Sequence, residues 1–314
     1  MSPINVKLQK RMNIFKLMNI EITNKEWLYM LKDETRNSIM IEGFFSDEEE
    51  LEKIIAGNHG SSNEAVNYFR TAKNFYSIAL EMHKTNEDIP CLSIVKSIHR
   101  MLFENLVDPR RLGDFRYGKV IITGSKINPP EYDIADWVRL WCNYTKYVFE
   151  KYSPDEASAR SHVFFECIHP FEDGNGRIGR ILLNFFLIKY GLINIAIKGM
   201  KKKERERYIQ SLESAGKGFI GILNQIPKKL SPEFVDENIK EEDIKPLKDL
   251  ILESLIEAMD RYICIFEKDF VTTQEAARIL NTSVDNVFKM ISRKNIIATK
   301  DKGRWRIPRR FLVD

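Results

Sequence analysis

Apolar positions recur at helical spacing along most of this chain. The clearest cases are residues 155–169, DEASARSHVFFECIH, and residues 179–191, GRILLNFFLIKYG, the second ending on Gly191 as a helix cap would. Residues 64–84, 88–105, 133–152 and 203–224 repeat the pattern, which predicts a mostly helical bundle. One stretch departs from it. In residues 116–131, RYGKVIITGSKINPPE, a β-branched run is followed by Gly124 and Ser125 as turn formers and Pro129-Pro130 as a breaker, predicting a short β-hairpin. Residues 231–249 hold seven acidic side chains against three lysines, with two prolines, and read as an exposed linker. Past residue 250 two helical stretches lead into a helix-turn-helix with a wing. There Thr273 caps a helix running to Leu280, Asn281, Thr282 and Ser283 form the turn, and residues 284–293 form the second helix. Lys302-Gly303 suits the wing turn, with Trp305 and Ile307 packing inward.

The candidate chemistry is concentrated in residues 169–180, HPFEDGNGRIGR. Gly174 and Gly176 flank Asn175 and allow a tight turn whose backbone N–H groups point inward, with a positive helix end beneath them from Arg177 onward. An anionic ligand is expected at such a turn. Arg177 and Arg180, three apart on one helix, share a face suited to successive phosphates; Asp173 is a hard oxygen ligand suited to Mg²⁺. His169, just before the turn, is placed to take a proton from an attacking hydroxyl. Cys167 lies two residues earlier, but its apolar surroundings read as those of a small buried hydrophobe.

This run resembles the Fic family signature, His-x-Phe-x-[Asp/Glu]-Gly-Asn-Gly-Arg-x-x-Arg, at every specified position, and the likeness extends over roughly residues 30–225. The resemblance implies a Mg²⁺-dependent protein adenylyltransferase moving AMP from ATP to a Ser, Thr or Tyr hydroxyl of a target protein, itself included. It makes His169 the base, Asp173 the Mg²⁺ ligand, Gly174, Asn175 and Gly176 the anion hole, and Arg177 and Arg180 the contacts to the outer phosphates. The hairpin, introduced by Gly113-Asp-Phe-Arg116, corresponds to the family's flap: Val120, Ile121, Ile122 and Thr123 are implied nucleotide contacts, and its edge would hold the target peptide. Family members often carry Gly where this chain has Thr123. Ser38-Ile-Met-Ile-Glu42-Gly43 matches the family's inhibitory helix, by which Glu42 should pair with Arg180 and exclude the γ-phosphate. The same glutamate is implied in the reverse hydrolysis in some members. Purine contacts thin out here: the expected two tyrosines and asparagine read Tyr208, Ile209 and Gly216, leaving Tyr208 against ribose and base. Gly176-Arg177 argues against the Doc branch, whose turn has Lys in place of that glycine; phosphocholine transfer is a lesser alternative.

Composition adds bounds. At 314 residues, 43% hydrophobic and 30% charged, the chain reads as a soluble globular protein with room for two domains. The formal charge of +4 is too small to argue for nucleic acid, but its distribution is uneven. Residues 271–314 hold ten basic and four acidic side chains, a net +6, and resemble the excisionase-like, MerR-type winged helix-turn-helix family, which makes DNA a candidate partner. The alternative use of such a module is protein docking or dimerisation. Four widely spaced cysteines indicate neither a zinc site nor a disulfide framework and fit a reducing compartment. The N-terminal 22 residues lack a secretory or membrane-spanning pattern, so the reading is of a cytoplasmic protein with no membrane partner. The sequence thus predicts a mainly α chain: residues 1–60 with the inhibitory helix, a Fic helical bundle with a β-hairpin flap at 61–230, a linker at 231–249 and a winged helix-turn-helix at 250–314. Its function reads as autoinhibited AMP transfer, with deAMPylation as a further activity. The alternative is a DNA-binding transcriptional regulator or antitoxin-like adaptor with a weakly active Fic domain, and homo-oligomerisation is compatible with either.

Overall fold

The computed structural model describes residues 3–18, 27–43, 63–88, 91–122, 125–301 and 303–312. It divides into two compact units, Trp27–Ile251 and a second built from Met1–Glu26 with Leu252–Asp314.

The first unit is helical. In chain order its helices are α2 (Trp27–Ile41), α3 (Asn63–Thr85), α4 (Cys91–Leu102), α5 (Ile134–Lys151), α6 (Pro154–Ile168), α7 (Asn175–Lys189), α8 (Lys202–Gly216) and α9 (Pro232–Glu237), followed by the start of α10 (Glu241–Phe266). At its centre α6 packs on α7, and these two are buried along almost their whole length. Helix α6 begins after Ser153 with Pro154 in the first turn and Asp155 and Glu156 at its positive end. Helix α7 stops where the apolar pattern stops: Gly191 takes φ +81°, its N–H is donated to the Ile188 carbonyl at 2.9 Å, and Leu192 N–H reaches the Leu187 carbonyl at 2.8 Å. Those two bonds satisfy carbonyls the helix leaves open. Around this pair α5 packs on α6, α3 on α7, α8 on α6, and α2 on α3.

Residues 231–249, expected as an exposed linker, are folded onto the bundle instead. Val235, Ile239, Ile244 and Leu247 are buried. Asp236, 5% exposed, accepts hydrogen bonds from Tyr144, Tyr152, Lys151 and Arg160, and Arg160 also grips Glu156, which Lys248 meets at 2.5 Å. One acid of the run is the partner of a buried arginine, which composition does not reveal. Among the described residues of 116–131, where a hairpin is expected, none joins a paired strand. Cys142 is disulfide-bonded, correcting the expectation drawn from sequence spacing, while Cys167 and Cys264 are buried free thiols.

The second unit contains α1 (Pro3–Leu17), α10 from residue 252 onward, β1 (Phe270–Val271), α11 (Thr273–Ile279), α12 (Val284–Ser292), β2 (Thr299–Asp301) and β3 (Arg304–Pro308). The strands form an antiparallel sheet in the order β1-β3-β2, with Asp301 opposite Arg304 across the wing turn. Gly303 there has φ +82°; Lys302 lies outside the described residues. Val271, Ala276, Val287, Ile291 and Ile307 form the core, with Trp305 packed against it. The cap of α11 is Thr272 in place of the expected Thr273: its hydroxyl accepts from Glu275 N–H at 3.2 Å and Glu275 accepts from Thr272 N–H at 2.8 Å, a reciprocal capping box.

Helix α1, placed by sequence with the inhibitory helix, belongs to this second unit. Arg11 is 1% exposed and forms a two-pronged bond to Asp260 at 2.6 and 3.1 Å, and it also donates to the carbonyls of Lys7, Lys294 and Ile296. Removing one partner of a buried ion pair strands the other charge. Arg11→Ala should therefore destabilise this unit by about 3–5 kcal/mol, read as faster amide exchange in α12; unchanged exchange would contradict it.

Candidate active site

The turn between α6 and α7 is held by one arginine. Arg116, 4% exposed, donates from Nε to the His169 carbonyl at 2.7 Å and from Nη2 to the carbonyls of Pro130 and Ile168 at 2.7 and 3.1 Å. Its Nη1 donates to the Gly118 carbonyl, and its own N–H to Pro170 at 3.0 Å. Burial pulls its pKa down to about 10, yet the carbonyl dipoles around it favour the charged form. The end of α6 and the base of the extended segment are thereby tied to one side chain. Asn175 closes the turn from inside, accepting from Phe171 N–H at 2.9 Å and donating to the Phe171 carbonyl at 2.8 Å. Gly174 has φ +80°, and a Cβ there would collide with the Phe103 ring.

His169 caps α6 in a left-handed conformation at φ 52°, a rare state for a non-glycine residue. Its Nδ1 lies 3.2 Å from the Glu166 carbonyl. A carbonyl only accepts, so Nδ1 carries the proton and Nε2 is the basic nitrogen. Burial, aided by Arg116, depresses the His169 pKa below its ordinary value and keeps the ring neutral. His162 is fixed likewise: Nδ1 donates to the Gly179 carbonyl at 3.1 Å and Nε2 accepts from the Tyr208 hydroxyl at 2.8 Å. Burial pulls His162 down to about 3, with Arg180 adding to the effect.

Arg180, 3% exposed, is met by the end of α2. Its Nε donates to Ser38 Oγ at 2.7 Å, and its Nη2 to the Ser38 carbonyl at 3.0 Å and to Glu42 Oε1 at 2.6 Å. Burial works to raise the Glu42 pKa, but Arg180 outweighs it by charge and hydrogen bond and leaves the carboxyl below its usual range. Gly43 follows with φ +90°, ending the helix. Further contacts seat α2. Asn37 accepts from Gly199 N–H at 3.0 Å, and Glu34 accepts from the hydroxyls of Tyr68 and Tyr76 and from Asn194. Burial pushes Glu34 up to about 7. Gly199 has no room for a side chain, because a Cβ would collide with Ile41 of α2.

These groups border a cavity of about 220 Å³. Its lining combines polar groups, Glu42, Gly176, Arg180 and His169 among them, with the apolar side chains of Ile122, Ile127, Val163, Ile209 and Leu212. Tyr208 lines it with its hydroxyl already bonded to His162. Of the segment expected to contact a nucleotide, Ile122 lines this cavity, Val120 lines a neighbouring one, Ile121 is exposed, and Thr123 lies outside the described residues. Arg177, expected beside Arg180, is turned toward the Phe103 ring at 4.9 Å and Asp173 Oδ2 at 3.3 Å. Asp173 itself is largely exposed, with Oδ1 accepting from Gly174 N–H at 2.6 Å. No cluster of three or more His, Cys, Asp or Glu side chains suited to a metal occurs among the described residues. A single exposed carboxylate fits an ion that arrives with polyphosphate, since Mg²⁺ keeps most of its shell for water and phosphate oxygens. Sequence reasoning passed over Glu166, which lines the cavity one turn before His169 and whose carboxyl lies against Gly179. The one signal was a charged residue in a continuous apolar run.

Residues 90–187 match the Fic/DOC family and residues 270–313 a helix-turn-helix domain family. The chain is 30% identical over 295 residues to a probable protein adenylyltransferase, aq_aa38, of Aquifex aeolicus (strain VF5), spanning 92% of this chain and 88% of that protein. It is 32% identical to the protein adenylyltransferases Fic of Aedes aegypti and Drosophila melanogaster over 42% and 40% of its length, about a quarter of theirs. In fold it is similar to a Fic domain containing signaling protein from Bacteroides thetaiotaomicron VPI-5482, with a TM-score of 0.64 at 20% identity over 82% of this chain and 96% of that one. It is also similar to a Fic family protein from Desulfovibrio desulfuricans G20, with a TM-score of 0.55 at 19% identity over 98% and 96%.

The seating of α2 can be tested without touching a charge. Gly199→Ala should press on Ile41 and loosen the last turn of α2, so that amides of residues 33–43 exchange faster while those of α7 do not; equal protection in both proteins would refute the close approach.

Proposed function

This chain belongs to the Fic/DOC family, and from that membership we propose that it is a protein adenylyltransferase held inactive by its own Glu42. The observation that carries the reading is the cavity lined by both His169, with its basic nitrogen, and Arg180, the partner for a polyphosphate. Between them the first turn of α7 presents backbone N–H groups that have no helical partner.

In this reading the triphosphate of ATP lies along the start of α7 with its base against the apolar side chains of the cavity. His169 Nε2 takes the proton of a Ser, Thr or Tyr hydroxyl as its oxygen bonds to the α-phosphorus and the bond to pyrophosphate breaks. The depressed pKa of His169 keeps the base unprotonated at neutral pH. Asp173 would hold Mg²⁺ together with the phosphates, and the ion would supply charge neutralisation. Arg116 keeps the His169 carbonyl, and so the ring, in register. Glu42 opposes all of this by occupying Arg180, where a γ-phosphate would meet a carboxylate. The same carboxylate is the candidate base for removing AMP, which would make the chain bifunctional.

A second reading concerns the unit containing α12. Lys289 and Arg293 are exposed on or at the end of that helix with no ion pair among the described residues, whereas Lys294 is 3.6 Å from Glu257. The match to a helix-turn-helix family supports DNA as the partner of this face.

Glu42→Gly should raise AMP incorporation from ATP at least about tenfold, and His169→Ala in that background should lower it by about 10²–10⁴, both read by intact mass. The acid limb of its rate profile should fall below pH 6.5, the ordinary value for His, because protonation of a depressed-pKa base stops turnover only at lower pH. A rate unaffected by Glu42→Gly would sink the inhibitor. For the second unit, Lys289→Glu/Arg293→Glu should abolish salt-dependent duplex binding; affinity retained in that variant would place DNA elsewhere.

A further inference from the structure

The guanidinium of Arg180 presents its N–H groups in a planar fork, and α2 meets that fork along two edges. On the edge formed by Nε and Nη2 stands Ser38, whose hydroxyl accepts from Nε at 2.7 Å and whose carbonyl accepts from Nη2 at 3.0 Å. On the edge formed by Nη2 and Nη1 stands Glu42, which accepts from Nη2 at 2.6 Å, while a Cβ on Gly176 of α7 would come within 3.1 Å of Nη1. The two edges differ in what can reach them. Glu42 and Gly176 line the cavity, whereas Ser38, 1% exposed, does not. A ligand entering the cavity can therefore take the place of the Glu42 carboxylate without disturbing either Ser38 contact.

Helix α2 also has a seat that does not involve Arg180. One turn before Ser38, Glu34 accepts from Tyr68, Tyr76 and Asn194, and Asn37 accepts from Gly199 N–H. Giving up the Glu42 pair leaves those contacts in place, and with them the position of Ser38. An arginine side chain is long and rotamer-rich, so a guanidinium released on every edge would have to be ordered again by the incoming anion, at a cost in entropy. The two Ser38 acceptors spare that cost. They stand in the last turn of α2, at the negative end of its dipole, where a cation is favoured.

We propose that Ser38 is a positioning residue of the active state, holding Arg180 by one edge so that the edge vacated by Glu42 meets the outer phosphates; this rests on the reading above that Arg180 is the partner of a polyphosphate. Helix α2 then carries two groups of opposite effect on the same arginine, Glu42 that blocks it and Ser38 that aims it. The sign of the Ser38 contribution separates this role from a purely inhibitory one. A serine that served only to bring Glu42 to Arg180 would lose its effect once Glu42 is absent. A serine that aims Arg180 matters most in that background, where its hydroxyl is what Nε donates to.

The test is calorimetric binding to full-length Glu42→Gly protein, alone and with Ser38→Ala or Ser38→Thr added. Each is titrated in Mg²⁺ with AMP and with an ATP analogue whose α,β bridge cannot be cleaved. Alanine is the best helix former, so Ser38→Ala removes the hydroxyl and leaves α2 and the carbonyl contact. It should weaken the triphosphate by about tenfold and leave AMP, which has no outer phosphate for Arg180 to meet, within about twofold. Ser38→Thr keeps the hydroxyl and should recover most of the loss. Triphosphate affinity unchanged or raised by Ser38→Ala would assign Ser38 to inhibition alone and overturn the proposal. Equal weakening of AMP and the triphosphate in both variants would do the same, as the mark of a packing role. If Glu42→Gly by itself binds neither nucleotide, the nucleotide-site reading fails and takes the proposal with it, an outcome distinct from binding that Ser38 does not affect.

Discussion

Arg180 is buried to 3% exposure with its charge met by a carboxylate, and that pairing organises the first unit. In the resting chain the anion is Glu42, delivered by α2 and backed by Ser38. Much else serves that delivery: the bare backbone of Gly199, the Asn37 contact and the Glu34 cluster with Tyr68, Tyr76 and Asn194. In the proposed reaction the anion is a phosphate. The two states then compete for one cation, and the affinity of each is set against the other. A helix seated by many neutral contacts but committed through one ion pair is suited to such an exchange, because giving up the pair leaves the helix its other contacts.

The turn proposed as catalytic depends on a second arginine in the opposite sense. Among the described residues Arg116 donates to no carboxylate, only to carbonyls from two chain segments. It acts as a fixed cross-link and not as a switch. His169 in turn has its tautomer set by the Glu166 carbonyl, so the last turn of α6 fixes which nitrogen of the proposed base is free.

Local signals were legible in the sequence where they are written in consecutive residues. The helices α3, α5, α6 and α7, the Gly191 stop and the glycine turn follow from spacing and capping chemistry. The second helix of the wing module does too, and its first helix misses only by one residue at the cap, since Thr272 and Thr273 are chemically alike and only the reach of Glu275 chooses between them. What was hidden is what tertiary structure decides. Asp236 counts as one more acid in an acidic run until Arg160 is seen beneath it. Helix α1 has a weak apolar pattern, and Arg11 looks like a surface residue until Asp260 meets it. The segment around Val120 has strand-forming residues, but propensity does not supply a partner strand, and its described residues join none. Glu166 was masked by the apolar run it interrupts.

The account stands most directly on the competition for Arg180. Calorimetry of wild type and Glu42→Gly, each titrated with AMP and with an ATP analogue whose α,β bridge cannot be cleaved, measures it. If Glu42 holds the place of the outer phosphates, the substitution should tighten the triphosphate by about tenfold or more and leave AMP within about twofold. Equal gains for both nucleotides, or none for either, would contradict the exchange of one anion for another on Arg180.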